Sequence, residues 1–178
     1  MSRSNLLRVA LVALLAVAAP TLPACADNDA LPAGVANADV VRQGDVTESQ
    51  LSAMLANEPI DWAWAGGQFD SPDPNASMPA STPFEFTWHA DATQPEEGGG
   101  PSAFQMVHLL LFSTPSNPSL LRVFSSLDSY TPDAATWQKL TASGEPITLS
   151  LTSGTFAGDD LTSEGGPYIG QELSFSIE

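Results

Sequence analysis

Cysteine and histidine are almost missing from this chain: among 178 residues there is one Cys, Cys25, and two His, His89 and His108. A lone cysteine excludes an intramolecular disulfide, so any core must hold without a covalent staple. A zinc site needs three or four ligands about 2 Å from the ion. Beyond the conceivable pair His89 and Asp91, the chain offers no second cluster to complete one. Positive charge is scarce as well. Lys and Arg number 5 against 21 Asp and Glu, a net charge of −16, and such a field repels nucleic acid and anionic lipid surfaces. Signatures of catalysis are missing too. There is no Gly-x-Ser-x-Gly elbow, and Glu96-Glu97-Gly98-Gly99-Gly100-Pro101 lacks the Lys and Ser/Thr of a phosphate loop.

What is present begins with an apolar stretch, Val9 to Ala19, made only of Val, Ala and Leu. It is too short for a membrane-spanning helix, which needs about 20 residues. Arg3 and Arg8 precede it, and Pro20 and small residues follow, which is the tripartite pattern of a secretory signal over residues 1–24. Leu22-Pro23-Ala24-Cys25 resembles the lipobox of bacterial lipoproteins, in which the Cys is lipidated and becomes the first mature residue. The resemblance implies a lipid anchor on Cys25. One acyl chain holds a protein only marginally, and the three chains of such lipoproteins hold it firmly. Ala26, where an Asp would favour retention at the inner membrane, implies the outer membrane instead. A second cut is open: Ala24-Cys25-Ala26 is also an A-x-A site, and cleavage after Ala26 would discard the cysteine. Either way Arg3 and Arg8 leave with the signal, so Arg42, Arg122 and Lys139 alone face all 21 acids. That imbalance serves solubility, or fits a cationic partner or calcium.

Residues 25–45 are small, polar and interrupted by Pro32 and Gly34, which predicts a flexible tether. Residues 46–58 predict a short helix. Thr47 and Gln50 form a capping box, and Val46 and Leu51 stand where a hydrophobic staple would. Leu51, Met54 and Leu55 share one face before Pro59 ends the run. From 59 to 178 the period is that of strands. Asp61–Trp64 reads as a first strand, and 70–83, with four prolines, as a loop. Phe84–Trp88 alternates, with three aromatics on one side. Phe104–Phe112 is apolar on both parities, as a strand covered on both faces is. Leu120–Phe124, Ile147–Thr152 and Tyr168–Ile177 complete the set. Thr131-Pro132-Asp133 opens a second short helix with Thr131 as cap, Trp137 and Leu140 inside, and Gly144 as the stop. The expected class is mainly β: an antiparallel β-sandwich with one short N-terminal helix and one short helix before the penultimate strand.

Phe86-x-Trp88, the apolar strand at 104–112, Ser129-Tyr130-Thr131-Pro132, Trp137-x-x-Leu140 and Phe175-x-Ile177 together resemble the strand order of fibronectin type III-like modules. The resemblance covers about 84–178 and implies that an early Trp and a Leu before the penultimate strand meet in the core. It implies a scaffold, and a scaffold does not specify an activity.

Candidate sites follow from residue type. Asp70 and Asp73, with Asp159 and Asp160, bring together the oxygen ligands calcium uses, without EF-hand spacing. Trp62 and Trp64 have the same parity on an edge strand, where they would stack on sugars or anchor a protein. Paired carboxylates in the loops 66–83 and 90–103 would serve a hydrolase or hydrolase accessory. His108, inside the most apolar strand, reads as a buried, hydrogen-bonded group. The leading expectation is a non-catalytic binding or structural module of the cell envelope, without cofactor. Its partners would be the membrane, through Cys25, and an envelope protein or carbohydrate, and not nucleic acid. The envelope hydrolase and a calcium-stabilised adhesin stand as alternatives.

Overall fold

The computed structural model describes residues 40–90 and 104–178. The expected signal segment, Cys25, the expected tether up to residue 39, and residues 91–103 with Asp91 lie outside the described residues.

The chain forms β1 (Val40–Gln43), α1 (Glu48–Ala56), β2 (Ile60–Asp61), α2 (Ala63–Gly66), β3 (Gln68–Ser71), β4 (Ser77–Met78) and β5 (Phe86–His89). It continues with β6 (Phe104–Ser113), β7 (Leu121–Ser125), β8 (Ser129–Tyr130), α3 (Ala134–Thr141), β9 (Ile147–Ala157), β10 (Asp160–Leu161) and β11 (Tyr168–Ile177). The protein is mainly β. A large sheet runs β1-β7-β6-β9-β11-β2, with β10 beside β9 and β4 beside β11, and a three-stranded sheet runs β3-β5-β8.

The two-residue period of the strands decides what each face covers. On one face of the large sheet Leu110, Phe112, Val123, Leu149, Leu151, Leu173 and Phe175 meet Phe86 and Trp88 of β5, Tyr130 of β8, and Trp137 and Leu140 of α3. Phe86 stands edge-on to Phe112 with ring centres 5.2 Å apart, a geometry that adds about 0.5–1.5 kcal/mol beyond the burial. On the opposite face Val107, Phe124 and Phe156 pack against Val40, Leu51 and Met54. β6 is thus apolar on both parities because both of its faces are covered, as its composition predicts.

α1 follows its sequence closely. Thr47 accepts from the Gln50 amide, the Gln50 side chain accepts from the Thr47 amide, and Leu51 and Met54 are buried. Fully burying one such side chain is worth about 1.5–3 kcal/mol, enough to dock a helix too short to persist alone.

Several expectations are corrected. Val40–Gln43 is no tether: it pairs parallel with β7, Val40 opposite Arg122. Two adjacent valines are too short a pattern to announce a strand, and only the free edge of β7 makes them one. The expected strand at 61–64 ends at Asp61 and gives way to α2, a third short helix. The 70–83 segment holds the end of β3 and all of β4, which runs parallel to β11. With β1, β2 and β4 all parallel to their neighbours, the large sheet is mixed rather than antiparallel. The cap of α3 is Asp133, not Thr131; its side chain accepts from the Thr136 amide at 2.7 Å, leaving Pro132 outside the helix.

Candidate functional site

The two most exposed aromatic side chains of the described residues are tryptophans: Trp62 is 49 % and Trp64 66 % exposed. Both belong to the short turn after β2, the outermost strand of the large sheet. β2 is set by parallel pairing with β11, Ile60 opposite Tyr168 and Asp61 opposite Ile169, and the Ile60 amide donates to the Pro167 carbonyl at 2.8 Å. Trp62 then stands edge-on to Tyr168, ring centres 5.4 Å apart, and precedes the single turn of α2. Contrary to the expectation from parity, the two tryptophans do not share one face of a strand. They flank the start of a helical turn.

The turn is clamped from beneath. Gly66 lies so close to β11 that a Cβ there would fall 2.2 Å from the Gly170 nitrogen and the Ile169 carbonyl carbon. Only glycine permits that approach. The Gly66 carbonyl accepts from the Ser153 hydroxyl at 2.6 Å, and the Gly67 carbonyl accepts from the Gln171 amide at 2.9 Å. Gly67 has φ +98, which turns the chain into β3. A fixed backbone therefore presents Trp62 and Trp64, with Ile60 and Ile169 exposed beside them. Glu58 and Asp61 are exposed on the same segment.

Beneath this platform lies a polar chain that sequence reasoning finds only at one link, His108. Its Nδ1 is 2.8 Å from the Ser153 Oγ, and its Nε2 is 3.4 Å from the Asp128 carboxylate. A Ser–His–Asp order suggests nucleophilic catalysis, but the hydrogen count argues otherwise. Ser153 has one hydroxyl hydrogen, and the Gly66 carbonyl, which can only accept, takes it. Nδ1 of His108 therefore donates to Ser153, the reverse of the proton transfer that activates a serine. Both residues are also sealed from solvent, Ser153 0 % and His108 1 % exposed. The chain is a clasp. It links β6, β9 and α2 to the loop before β8, where the Asp128 carbonyl also accepts from the Trp88 amide at 3.0 Å. Donating through Nδ1 to Ser153 and through Nε2 to Asp128 takes both ring hydrogens of an imidazolium, and the second bond holds the Asp128 carboxyl below the usual carboxylate range. Ser153 and Asp128 carry no local sequence signal; strand register sets Ser153 opposite His108, and the loop from β7 into β8 brings Asp128 to it.

The other candidates are dispersed. Asp70 is engaged by His89, whose Nδ1 is 2.8 Å away, and Asp73 is exposed beyond β3. Asp159 accepts from the Thr47 hydroxyl at 2.7 Å in the turn between β9 and β10, which leads into Asp160. Of the two acid pairs, Asp70 is on β3 of the three-stranded sheet and Asp160 on β10 of the large sheet, with Asp73 and Asp159 in the adjoining loop and turn. Among the described residues, no three His, Cys, Asp or Glu side chains are grouped so as to hold a metal ion. No helix among the described residues is long and apolar enough to cross a membrane.

Fold and site together define a mainly β domain carrying an aromatic platform at one sheet edge. No family model, curated protein or solved structure matches the chain.

Proposed function

We propose that the protein is a non-catalytic binding or structural module of the cell envelope, exported by residues 1–24 and held to the outer membrane by lipid on Cys25. The mature domain is a fibronectin type III-like β-sandwich, and its ligand contact is the Trp62–Trp64 platform. The sandwich reading draws support from the facing of the large and three-stranded sheets across Phe86, Trp88 and Phe112. The lipid anchor draws support from the lipobox-like residues around Cys25. One observation carries the binding reading: two large aromatic rings are left in solvent on a backbone clamped by Gly66, Ser153 and Gln171. Exposed tryptophan is the residue type most concentrated at binding hot spots, and a fixed backbone lowers the ordering cost of association. The Ser153–His108 pair, sealed from solvent with the histidine donating to the serine, supports the non-catalytic part.

The test has two arms. Intact mass of the mature protein should show acyl chains on the residue from Cys25, and an unacylated product ends the anchor. The full chain in detergent is titrated calorimetrically with cell-wall glycan fragments, neutral oligosaccharides and peptides of either charge. At least one class should bind the wild type and not Trp62→Ala/Trp64→Ala; if every class treats both alike, the platform is not a binding site.

A further inference from the structure

We infer that the platform takes a cationic protein segment, one presenting Arg or Lys side chains, in preference to a neutral carbohydrate. The inference rests on the platform being a binding site and names its ligand class.

Four features of the edge converge. Trp62 and Trp64 expose indole rings, the aromatic faces that attract a guanidinium or ammonium group most strongly. Ile60 and Ile169, 53 % and 43 % exposed, offer apolar surface along which the methylene stems of Arg or Lys can lie. Glu58 and Asp61 are exposed on the segment that carries the tryptophans, and carboxylates only accept hydrogen bonds. A cationic side chain brings donors together with opposite charge, whereas a sugar hydroxyl brings a donor alone, so ion pairing with the carboxylates favours the first. The fourth feature is where the bases are. Arg42 sits on β1 at the opposite edge of the sheet, ion-paired with Glu48; Arg122 is buried on β7; Lys139 is on α3. None of them lies on β2, α2 or β11 to neutralise the platform.

A chain of net charge −16 attracts any polycation diffusely, so the experiment has to separate the platform from the general field. The full chain in detergent is titrated by calorimetry with an octa-arginine peptide. Trp62→Ala/Trp64→Ala, which changes no charge, should weaken binding about tenfold, from two cation–aromatic contacts. Trp64→Ala alone should weaken it about threefold. Since Trp64 is 66 % exposed, that variant should melt with the wild type and so separates binding from folding. Glu58→Gln/Asp61→Asn should weaken binding clearly more than Asp73→Asn/Glu85→Gln, which removes the same charge from exposed acids flanking the three-stranded sheet. Equal losses from the two acid pairs, or peptide binding indifferent to both tryptophans, overturn the inference. A tetrasaccharide of N-acetylglucosamine distinguishes the failures. If it binds the wild type but not the tryptophan variant, while the peptide is indifferent, the platform stands and its ligand is carbohydrate. If neither probe depends on the tryptophans, both readings fall.

Discussion

Replacing Gly66 with alanine would place a methyl group 2.2 Å from the Gly170 nitrogen and the Ile169 carbonyl carbon. Those neighbours are backbone atoms of β11, a strand paired on its other side with β9, so they cannot rotate aside as a side chain would. Either α2 lifts off the strand or the β2–β11 pairing opens. Overpacking of this kind costs about 1–3 kcal/mol, and rigid neighbours place Gly66 at the upper end of that range. Lifting α2 also strands the Ser153 hydroxyl, whose bond to the Gly66 carbonyl is buried, at a cost of about 1–3 kcal/mol. The expected total is about 4 kcal/mol. At about 3 °C per kcal/mol for a domain of this size, the melting temperature should fall by about 12 °C. Gly144→Ala is the matched control. Gly144 has φ +61, but nothing lies within 4 Å of the place a Cβ would take, so alanine there suffers only the left-handed backbone, about 1–2 kcal/mol. Urea unfolding of the two variants, with unchanged slopes, measures the difference. A Gly66→Ala protein that unfolds with or after Gly144→Ala would falsify the clamp and remove the structural reason for calling the tryptophans preorganised.

Ser153→Ala deletes the middle of the clasp, leaving the Gly66 carbonyl and the His108 Nδ1 buried without that partner; unfolding should show a loss of about 2–3 kcal/mol. Were Ser153 a nucleophile instead, the variant would keep its stability and lose an activity. Asp128 predicts an acid-limb effect. Its carboxyl is held below the usual range by the His108 hydrogen bond, so its contribution is complete above the unfolded value of about 3.9 and is lost as pH falls through the lower folded value. Asp128→Asn should therefore flatten the stability profile below about pH 4, modestly because the side chain is 78 % exposed, and an unchanged acid limb counts against the bond. Calcium and a chelator should leave the melting temperature alike, because Asp70 lies on β3 with Asp73 in the loop after it, whereas Asp159 and Asp160 lie at the turn from β9 into β10 of the other sheet. A clear rise with calcium would return the adhesin reading.

Sequence alone determined the elements whose signals are local. The alternation of Phe86 and Trp88, the two-sided apolar run at Phe104–Phe112, and the capping box of Thr47 and Gln50 each follow from the period or termini of one segment, and each is found where the chain announces it. Strand partners are not local properties. Val40–Gln43 is a strand only because β7 offers an edge, and nothing in DSPDPNASMPASTP announces that Ser77 and Met78 run beside Ser176 and Ile177. The same holds for the site. Two tryptophans two residues apart read as one face of a strand, because alternation is the only geometry a short segment can express. The close approach of Gly66 to Gly170, far along the chain, turns the segment into a helical turn and leaves Trp62 and Trp64 on either side of its start. Ser153 and Asp128 reach His108 only through the register of β6 with β9 and the path of the loop into β8. Composition and period settle what a segment can be, because they act through neighbours in sequence; tertiary structure decides which distant backbone it meets, and that meeting builds the platform.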